Sequence, residues 1–126
     1  MTENKSPTAL VIEDEPSISI LCERVLTKEG YTVDSVNNGR DAEKMVEEHY
    51  YDLILCDIRL PEVSGIDFYV WLQQEHSRLA KNVVFMTGSV MGGESVLFLE
   101  KSGRPHILKP FRPDDLLETI KKLRTG

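Results

Sequence analysis

The segment Leu53–Pro61, with the sequence LILCDIRLP, constrains the fold more than any other part of the chain. Four apolar residues run directly into Asp57, and a proline follows closely. A short apolar run bounded by a breaker is typical of a central strand that is buried on both faces. A carboxylate at the end of such a strand is not a typical core residue. In open parallel sheets, ligands bind at the carboxyl ends of the strands. Asp57 is therefore the first candidate for chemistry.

Short apolar runs alternate with helical patterns along the chain. In the first helical pattern the apolar residues have the i, i+3, i+4, i+7 spacing of one buried face. They are Ile18, Leu21, Cys22, Val25 and Leu26. Four further helices are predicted: one after Gly39, one that contains Ile66, one from about Glu94 and one from about Pro113. The four other predicted strands are Ala9–Ile12, Tyr31–Val36, Asn82–Thr87 and His106–Leu108. Five strands alternating with five helices predict an α/β fold, a parallel sheet covered on both faces.

Length, charge and cysteine usage narrow the class of protein. The 126 residues correspond to about one domain, which we expect at residues 8–125 behind a polar tail at residues 1–7. The net charge of −6 argues against direct contact with nucleic acid. Because the chain shows no membrane-length apolar run and no signal segment, we expect no membrane insertion. Cys22 and Cys56 lack metal or redox spacing, which predicts reduced core thiols in a cytoplasmic protein.

Polar side chains stand out at four of the five predicted strand ends. They are Glu13 and Asp14, Asp57, Thr87, and Lys109. The carboxyl ends of parallel strands share one edge, so we expect these residues to converge. Clustered carboxylates repel one another unless a cation intervenes, and Mg²⁺ prefers carboxylates with waters and phosphate oxygens. The pattern predicts Mg²⁺ as the cofactor, with Glu13 and Asp14 placed to hold it.

Asp57 is the best candidate nucleophile because it ends the buried central strand. A carboxylate can accept a phosphoryl group as an acyl phosphate. Attack on an anionic phosphate depends on charge neutralisation more than on acid–base catalysis. Lys109 would neutralise one phosphate oxygen as a mobile point charge, and the Thr87 hydroxyl or the Gly88 N–H would serve another.

The chain resembles the receiver domains of two-component response regulators over residues 8 to 125. The matching motifs stand in the family's order: Glu13-Asp14, Asp57, Pro61, Gly65, Thr87 and Lys109-Pro110-Phe111. The resemblance implies a (βα)5 flavodoxin-like fold, a doubly wound parallel sheet with strand order 2-1-3-4-5.

The resemblance also implies a role for each acid. Asp57 is the expected phosphoacceptor. Asp14, Asp57 and the backbone carbonyl of Arg59 would bind Mg²⁺, and Glu13 would act mostly through metal-bound water.

The remaining implied roles concern signalling. Thr87 would be the switch hydroxyl, and Lys109, joined to Pro110 by a cis peptide bond, would be the phosphate-binding amine. A histidine kinase or a histidine phosphotransfer protein would donate the phosphoryl group. Phosphorylation would then repack the face formed by the predicted fourth helix, fifth strand and fifth helix, through which a homodimer or a downstream protein would bind. Beyond self-phosphorylation and slow self-dephosphorylation, we expect no enzymatic activity.

Two positions depart from the family pattern. Glu13 replaces the commoner aspartate, and His106 replaces an aromatic switch residue. The segment 103–109 is more similar to receivers of hybrid histidine kinases than to those of DNA-binding regulators. Arg59 and Ser89 flank the predicted phosphoryl site, where they would tune the access of water.

Several alternatives remain open at the sequence level. A degenerate receiver would serve only as a docking module. An FMN-binding flavodoxin-like protein would need a phosphate loop after the first strand, where this chain has Glu13-Asp14-Glu15. A phosphohydrolase would commonly carry a second acid at the position of Arg59. The segment Val96–Leu99 is more apolar than one helix face requires, which makes part of it a candidate partner surface.

Overall fold

The computed structural model describes residues 6–88 and 93–125. Within these residues the elements are β1 (Thr8–Ile12), α1 (Pro16–Lys28), β2 (Thr32–Val36), α2 (Gly39–Glu48), β3 (Leu53–Asp57), α3 (Gly65–Glu75), α4 (Ser77–Ala80), β4 (Val83–Thr87), α5 (Gly93–Ser102), β5 (His106–Leu108) and α6 (Pro113–Thr125). All strand pairs are parallel, and the sheet order is β2-β1-β3-β4-β5. This confirms the predicted doubly wound, flavodoxin-like fold.

The three inner strands β1, β3 and β4 are buried almost throughout, which explains their nearly continuous apolar sequences. Successive residues of a strand point to opposite faces. Phe85 packs in the layer that contains residues of α2, α3, α4 and α5, whereas Met86 packs in the layer with α1 and α6. Both thiols, Cys22 and Cys56, are free and fully buried, one in each layer. The prediction of core thiols is therefore confirmed.

The backbone hydrogen bonds of the sheet continue past the strand ends and fix the residues that follow. The N–H of Glu13 donates to the last carbonyl of β2 at 3.1 Å. The N–H of the residue after Asp57 donates to β4 at 3.1 Å, and the N–H of Lys109 donates to the carbonyl of Thr87 at 2.7 Å. The polar residues at the strand ends are thus held by the sheet itself.

Helix α4 corrects the predicted count of five helices. α3 ends at Glu75, the next residue His76 has a φ of −144° and a ψ of 63°, and the chain re-enters a helix at Ser77. This single turn buries Leu79 and Ala80 against the core. Four residues are too few to show a helical period, which is why the sequence pattern missed them. The predicted fourth and fifth helices are therefore α5 and α6, and the face they form with β5 is called the α5–β5–α6 face below.

Capping side chains and glycines mark the ends of several helices. Asn38 and Ser64 cap α2 and α3 by accepting backbone N–H groups of the first turns. Gly30 and Gly103 follow α1 and α5 with φ of 97° and 67°, a conformation that glycine adopts readily. Among the helices of the described residues, none has the length and apolar character needed to cross a membrane.

Candidate functional site

Three carboxylates lie together where β1 and β3 end. Glu13 and Asp14 follow β1, and Asp57 is the last residue of β3. Each offers one oxygen, and these oxygens all lie within 4.8 Å of one another. Glu13 and Asp57 are buried, whereas Asp14 is exposed. The acids converge as the sequence predicted, and a cluster of hard oxygen donors fits Mg²⁺.

The ammonium group of Lys109 lies between the two buried carboxylates. Its Nζ is 2.7 Å from Oε1 of Glu13 and 3.1 Å from Oδ2 of Asp57. Each carboxylate also accepts a backbone hydrogen bond: Oε2 of Glu13 from the N–H of Glu15 at 3.0 Å, and Oδ1 of Asp57 from the N–H of Arg59 at 3.3 Å. One cation offsets only part of the charge of three acids, so the cluster still favours a bound cation.

Burial controls the electrostatics of the pair formed by Glu13 and Lys109. Burial raises the pKa of Glu13 from 4.5 to about 7; the hydrogen bond from Lys109 opposes this increase, and the charge of Asp57 adds to it. Burial alone would lower the pKa of Lys109, but the hydrogen bond with Glu13 and the charge of Asp57 outweigh it, so the net pKa is raised. Lys109 therefore stays charged at neutral pH, while Glu13 titrates near neutrality.

A cleft of about 280 Å³ lies in front of the cluster. It is lined by Asp14, Glu15, Asp57, Ile58, Arg59, Thr87, Gly88, Ser95 and Lys109. Thr87 is buried, and its hydroxyl donates to the carbonyl of Gly88 at 3.5 Å, the outer limit of a hydrogen bond. This weak bond leaves the hydroxyl available for a better acceptor in the cleft.

Sequence reasoning missed Ser95 as a lining residue. Ser95 belongs to the first turn of α5. A serine at the start of a helix is common, so its sequence position carried no signal of a role in the cleft.

The loop between β3 and α3 folds tightly against the end of β3. A Cβ on Gly65 would lie 2.2 Å from the carbonyl oxygen of Asp57 and 2.8 Å from Cα of Ile58. The N–H of Gly65 donates to the carbonyl of Ile58 at 2.8 Å. In the same loop Glu62 has a φ of 67°, a left-handed conformation that is unfavourable for a side chain. The sequence identified Gly65 only as part of a motif, and its contact with Asp57 supplies the physical reason.

The structure confirms one further prediction near the site and leaves another outside the described residues. The Lys109–Pro110 peptide bond is cis. His106 is exposed on β5, the edge strand beside β4. Ser89, predicted to flank the phosphoryl site, lies outside the described residues, as do residues 1–5 of the predicted tail.

The apolar segment of α5 is divided between the core and the surface. Leu99 is buried, whereas Val96 is 37% exposed and Leu97 is 56% exposed. Leu108 of β5, also on the α5–β5–α6 face, is 51% exposed. The segment therefore exceeds the needs of the core, as the sequence indicated.

Comparison with known proteins identifies the family. The family model of the response regulator receiver domain matches residues 9–121. The transcriptional regulatory protein TcrA of Mycobacterium tuberculosis is 32% identical over 114 residues, which are 90% of this chain and 44% of TcrA. The chain spans about half the length of the curated relatives it matches.

Solved structures show the same architecture. The response regulator TrrA of Thermotoga maritima, in complex with Mg²⁺-BeF, is 30% identical with a TM-score of 0.79, and the match covers 93% of this chain and 98% of TrrA. The receiver domain of a signal transduction histidine kinase from Syntrophus aciditrophicus is 27% identical with a TM-score of 0.84, and the match covers 96% and 92% of the two chains.

Proposed function

The chain belongs to the response regulator receiver domain family of two-component signalling, and on that basis we propose that Asp57 accepts a phosphoryl group in a Mg²⁺-dependent reaction. The observation that carries this proposal is the convergence of Glu13, Asp14 and Lys109 on Asp57 at the sheet edge. Such a set suits neither the phosphate loop of a flavin protein nor the paired acids of a phosphohydrolase.

The metal site would combine the acids that follow β1 with groups at the end of β3. Asp14, Asp57 and the backbone carbonyl of Arg59 would hold Mg²⁺ directly, and Glu13 would contribute through metal-bound water. Mg²⁺, when bound, neutralises phosphate charge and orients the phosphoryl group. The related TrrA in complex with Mg²⁺-BeF supports this assignment.

The transfer step needs little from the protein beyond position and charge. A carboxylate oxygen of Asp57 attacks the phosphorus of a phosphohistidine, an O–P bond forms, and the N–P bond breaks. The electron pair of that bond returns to the imidazole of the donor, which takes up a proton. Lys109 is already beside the attacking carboxylate and would neutralise one oxygen of the arriving phosphoryl group. Asp57 and Lys109 would thus act on reacting atoms directly.

The response would start with Thr87. Its hydroxyl lines the cleft with only a weak acceptor, so a phosphoryl oxygen would attract it. Thr87 ends β4, and the N–H of Lys109 bonds to its carbonyl, so both groups sit beside the α5–β5–α6 face. Phosphorylation would repack that face for a homodimer or a downstream protein.

The proposed partner is the protein that donates the phosphoryl group. A histidine kinase or a histidine phosphotransfer protein would supply the phosphoryl group, and the Syntrophus receiver shows that similar domains occur in histidine kinases. The activity of this domain would be limited to its own phosphorylation and slow dephosphorylation.

Intact-mass spectrometry tests this proposal. The protein is incubated with phosphoramidate, with and without Mg²⁺, beside Asp57→Ala and Asp14→Asn variants. We expect one added phosphoryl group in the native protein, absent in Asp57→Ala and strongly reduced in Asp14→Asn. Absence of any addition, together with unchanged NMR spectra on adding Mg²⁺ and beryllofluoride, would instead identify a docking module that is not phosphorylated.

A further inference from the structure

A cavity of about 520 Å³ lies at the edge of the sheet opposite Asp57. Its lining comes from three segments: Lys81 after α4, residues 103–105 between α5 and β5, and Lys122 and Leu123 in α6. The first two segments lead into β4 and β5, so the cavity lies at the amino ends of these strands, whereas Asp57 is at the carboxyl end of β3. The cavity shares no lining residue with the cleft in front of Asp57.

Every charged side chain that lines this cavity in the described part of the chain is a cation. The three cations are Lys81, Arg104 and Lys122, although the whole chain carries a net charge of −6. Within residues 6–88 and 93–125, none of the three forms an ion pair with a carboxylate. A cleft lined by charges of one sign concentrates the electric field and attracts ions of the opposite sign. We call it the basic cavity, and its charge favours a bound anion.

The guanidinium group of Arg104 is held in a fixed orientation by the backbone. Its Nε donates to the carbonyl of Val83 at 3.0 Å, and its Nη2 donates to the carbonyl of Lys81 at 2.7 Å. These bonds use two of the five N–H groups of a guanidinium, and the others have no acceptor among the described residues. Burial lowers the pKa of Arg104, because the charged form loses solvation. A bound anion would stabilise a cation that is already oriented.

The charge at helix ends explains only part of this pattern. A lysine in the last turn of a helix offsets the partial negative charge of the terminal carbonyls. Lys122 of α6 has such a position, and so does Lys28 of α1. Arg104, in contrast, follows α5 in the chain and donates to the segment that leads into β4. Its convergence with Lys122 on one cavity therefore has no explanation in helix capping.

The arrangement of the cations favours a compact anion with several charges. A guanidinium matches two oxygens of one phosphate group, and lysine ammonium groups bind phosphate as mobile point charges. The three cations come from different segments and surround one cavity, so linked phosphate groups suit them better than an extended acidic peptide. Pro105 and Leu123 supply apolar lining, which strengthens electrostatic attraction by excluding water.

We propose that the basic cavity binds an oligophosphate, a chain of two or three linked phosphate groups, through Arg104, Lys81 and Lys122. This is a binding function separate from phosphorylation at Asp57, because it uses none of the residues of the acidic cluster.

NMR titration of the metal-free, unphosphorylated protein with sodium tripolyphosphate at constant ionic strength tests this proposal. Without a metal, the acidic cluster around Asp57 repels anions, so binding there does not compete. We expect saturable shifts of the backbone amides of residues 81, 103, 104 and 122, and an affinity at least about tenfold higher than for sulfate. ATP distinguishes the source of the phosphates: additional shifts would indicate a nucleotide, and identical shifts a free oligophosphate.

Lysine variants identify the contacts that carry binding. Lys81→Ala and Lys122→Ala should each weaken tripolyphosphate binding about tenfold, the typical effect of losing one charge-assisted contact. Both lysines are exposed, so the fold should be kept. Lys28→Ala is the matched control, because it also removes an exposed lysine from the last turn of a helix but lies outside the cavity. Its affinity should stay within about twofold of the native protein.

Three results would overturn the proposal. Absence of saturable shifts at millimolar tripolyphosphate would leave only a solvated basic surface. Equal weakening in Lys28→Ala and Lys122→Ala would show general attraction to positive charge and no defined site. Citrate binding as tight as that of tripolyphosphate would contradict the assignment to phosphate and indicate a site for tricarboxylates.

Discussion

Nζ of Lys109 lies 3.1 Å from Oδ2 of Asp57, so the expected phosphoacceptor of the unmodified protein is already paired with a cation. The Lys109 side chain is only 15% exposed and that of Asp57 only 8%, so water screens this pair weakly. The pair joins the end of β3 to the residue after β5, across β4. It would couple the proposed phosphorylation site to the edge of the sheet that carries the α5–β5–α6 face.

Lys109→Ala should destabilise the metal-free protein and slow phosphorylation. Removing the cation leaves two buried carboxylates facing each other, which costs about 3 kcal/mol or more of unfolding free energy. Urea unfolding without Mg²⁺ measures this loss, and Mg²⁺ should restore part of the stability. Lys44→Ala, at an exposed position of α2, is the control. Equal unfolding free energies for the two variants would show that Lys109 is not a required counter-ion.

The stability of the metal-free protein should decrease as the pH rises towards neutrality. The pKa of Glu13 is about 7 in the folded protein, above its ordinary value of 4.5, because the side chain is buried. The folded state therefore holds a proton that the unfolded state has lost, and unfolding free energy falls as pH rises through that interval. Below the unfolded pKa the contribution is fully present, and above about pH 7 it is lost.

Urea unfolding of the native protein and of Glu13→Gln across this interval isolates the effect, because the two proteins differ at this one titratable side chain. The difference between the two proteins should change across the pH range in metal-free buffer and should diminish in saturating Mg²⁺, which holds Glu13 ionised. A difference that is independent of pH without metal would contradict the raised pKa.

Gly65→Ala should unfold or strongly destabilise the domain. The new Cβ would meet the carbonyl oxygen of Asp57 at 2.2 Å, and neither backbone can retreat without breaking the turn after β3. We expect a loss of about 2–3 kcal/mol, measured by urea unfolding, as for other overpacked positions. Gly93→Ala is the matched control, since a Cβ there meets no atom of residues 6–88 and 93–125 within 4 Å. Similar effects of the two substitutions would mean that the close approach to Asp57 is not structurally important.

Thr87→Val should separate phosphorylation from the response to it. Valine keeps the shape of threonine in a buried position but cannot donate a hydrogen bond to a phosphoryl oxygen. We expect the mass increase at Asp57 to persist, while the change in amide hydrogen exchange on α5 and β5 is lost. Thr87→Ser keeps the hydroxyl and should preserve the change. A full change in hydrogen exchange in Thr87→Val would show that the Thr87 hydroxyl is not needed for the response to phosphorylation.

The sequence predicted the sheet well because each inner strand is an uninterrupted apolar run ended by a polar residue. It predicted the convergence of Asp14, Asp57 and Lys109 because a parallel sheet brings all strand ends to one edge. It could not predict the ion pair between Glu13 and Lys109, since that contact depends on side-chain reach across two strand ends. The single turn of α4 was also beyond sequence reasoning, because Leu79 and Ala80 are buried by tertiary packing without a visible period.

Chemical trapping of the modified residue tests the central claim most directly. Borohydride reduces an aspartyl phosphate to homoserine, and peptide mass mapping then locates the altered residue. After incubation with Mg²⁺ and phosphoramidate, our account predicts homoserine at position 57 and at no other acid, with none formed when Mg²⁺ is omitted. Homoserine at Asp14, the longer alcohol 5-hydroxynorvaline at Glu13, or a stable mass increase that maps to no carboxylate would contradict the assignment of Asp57 as the phosphoacceptor.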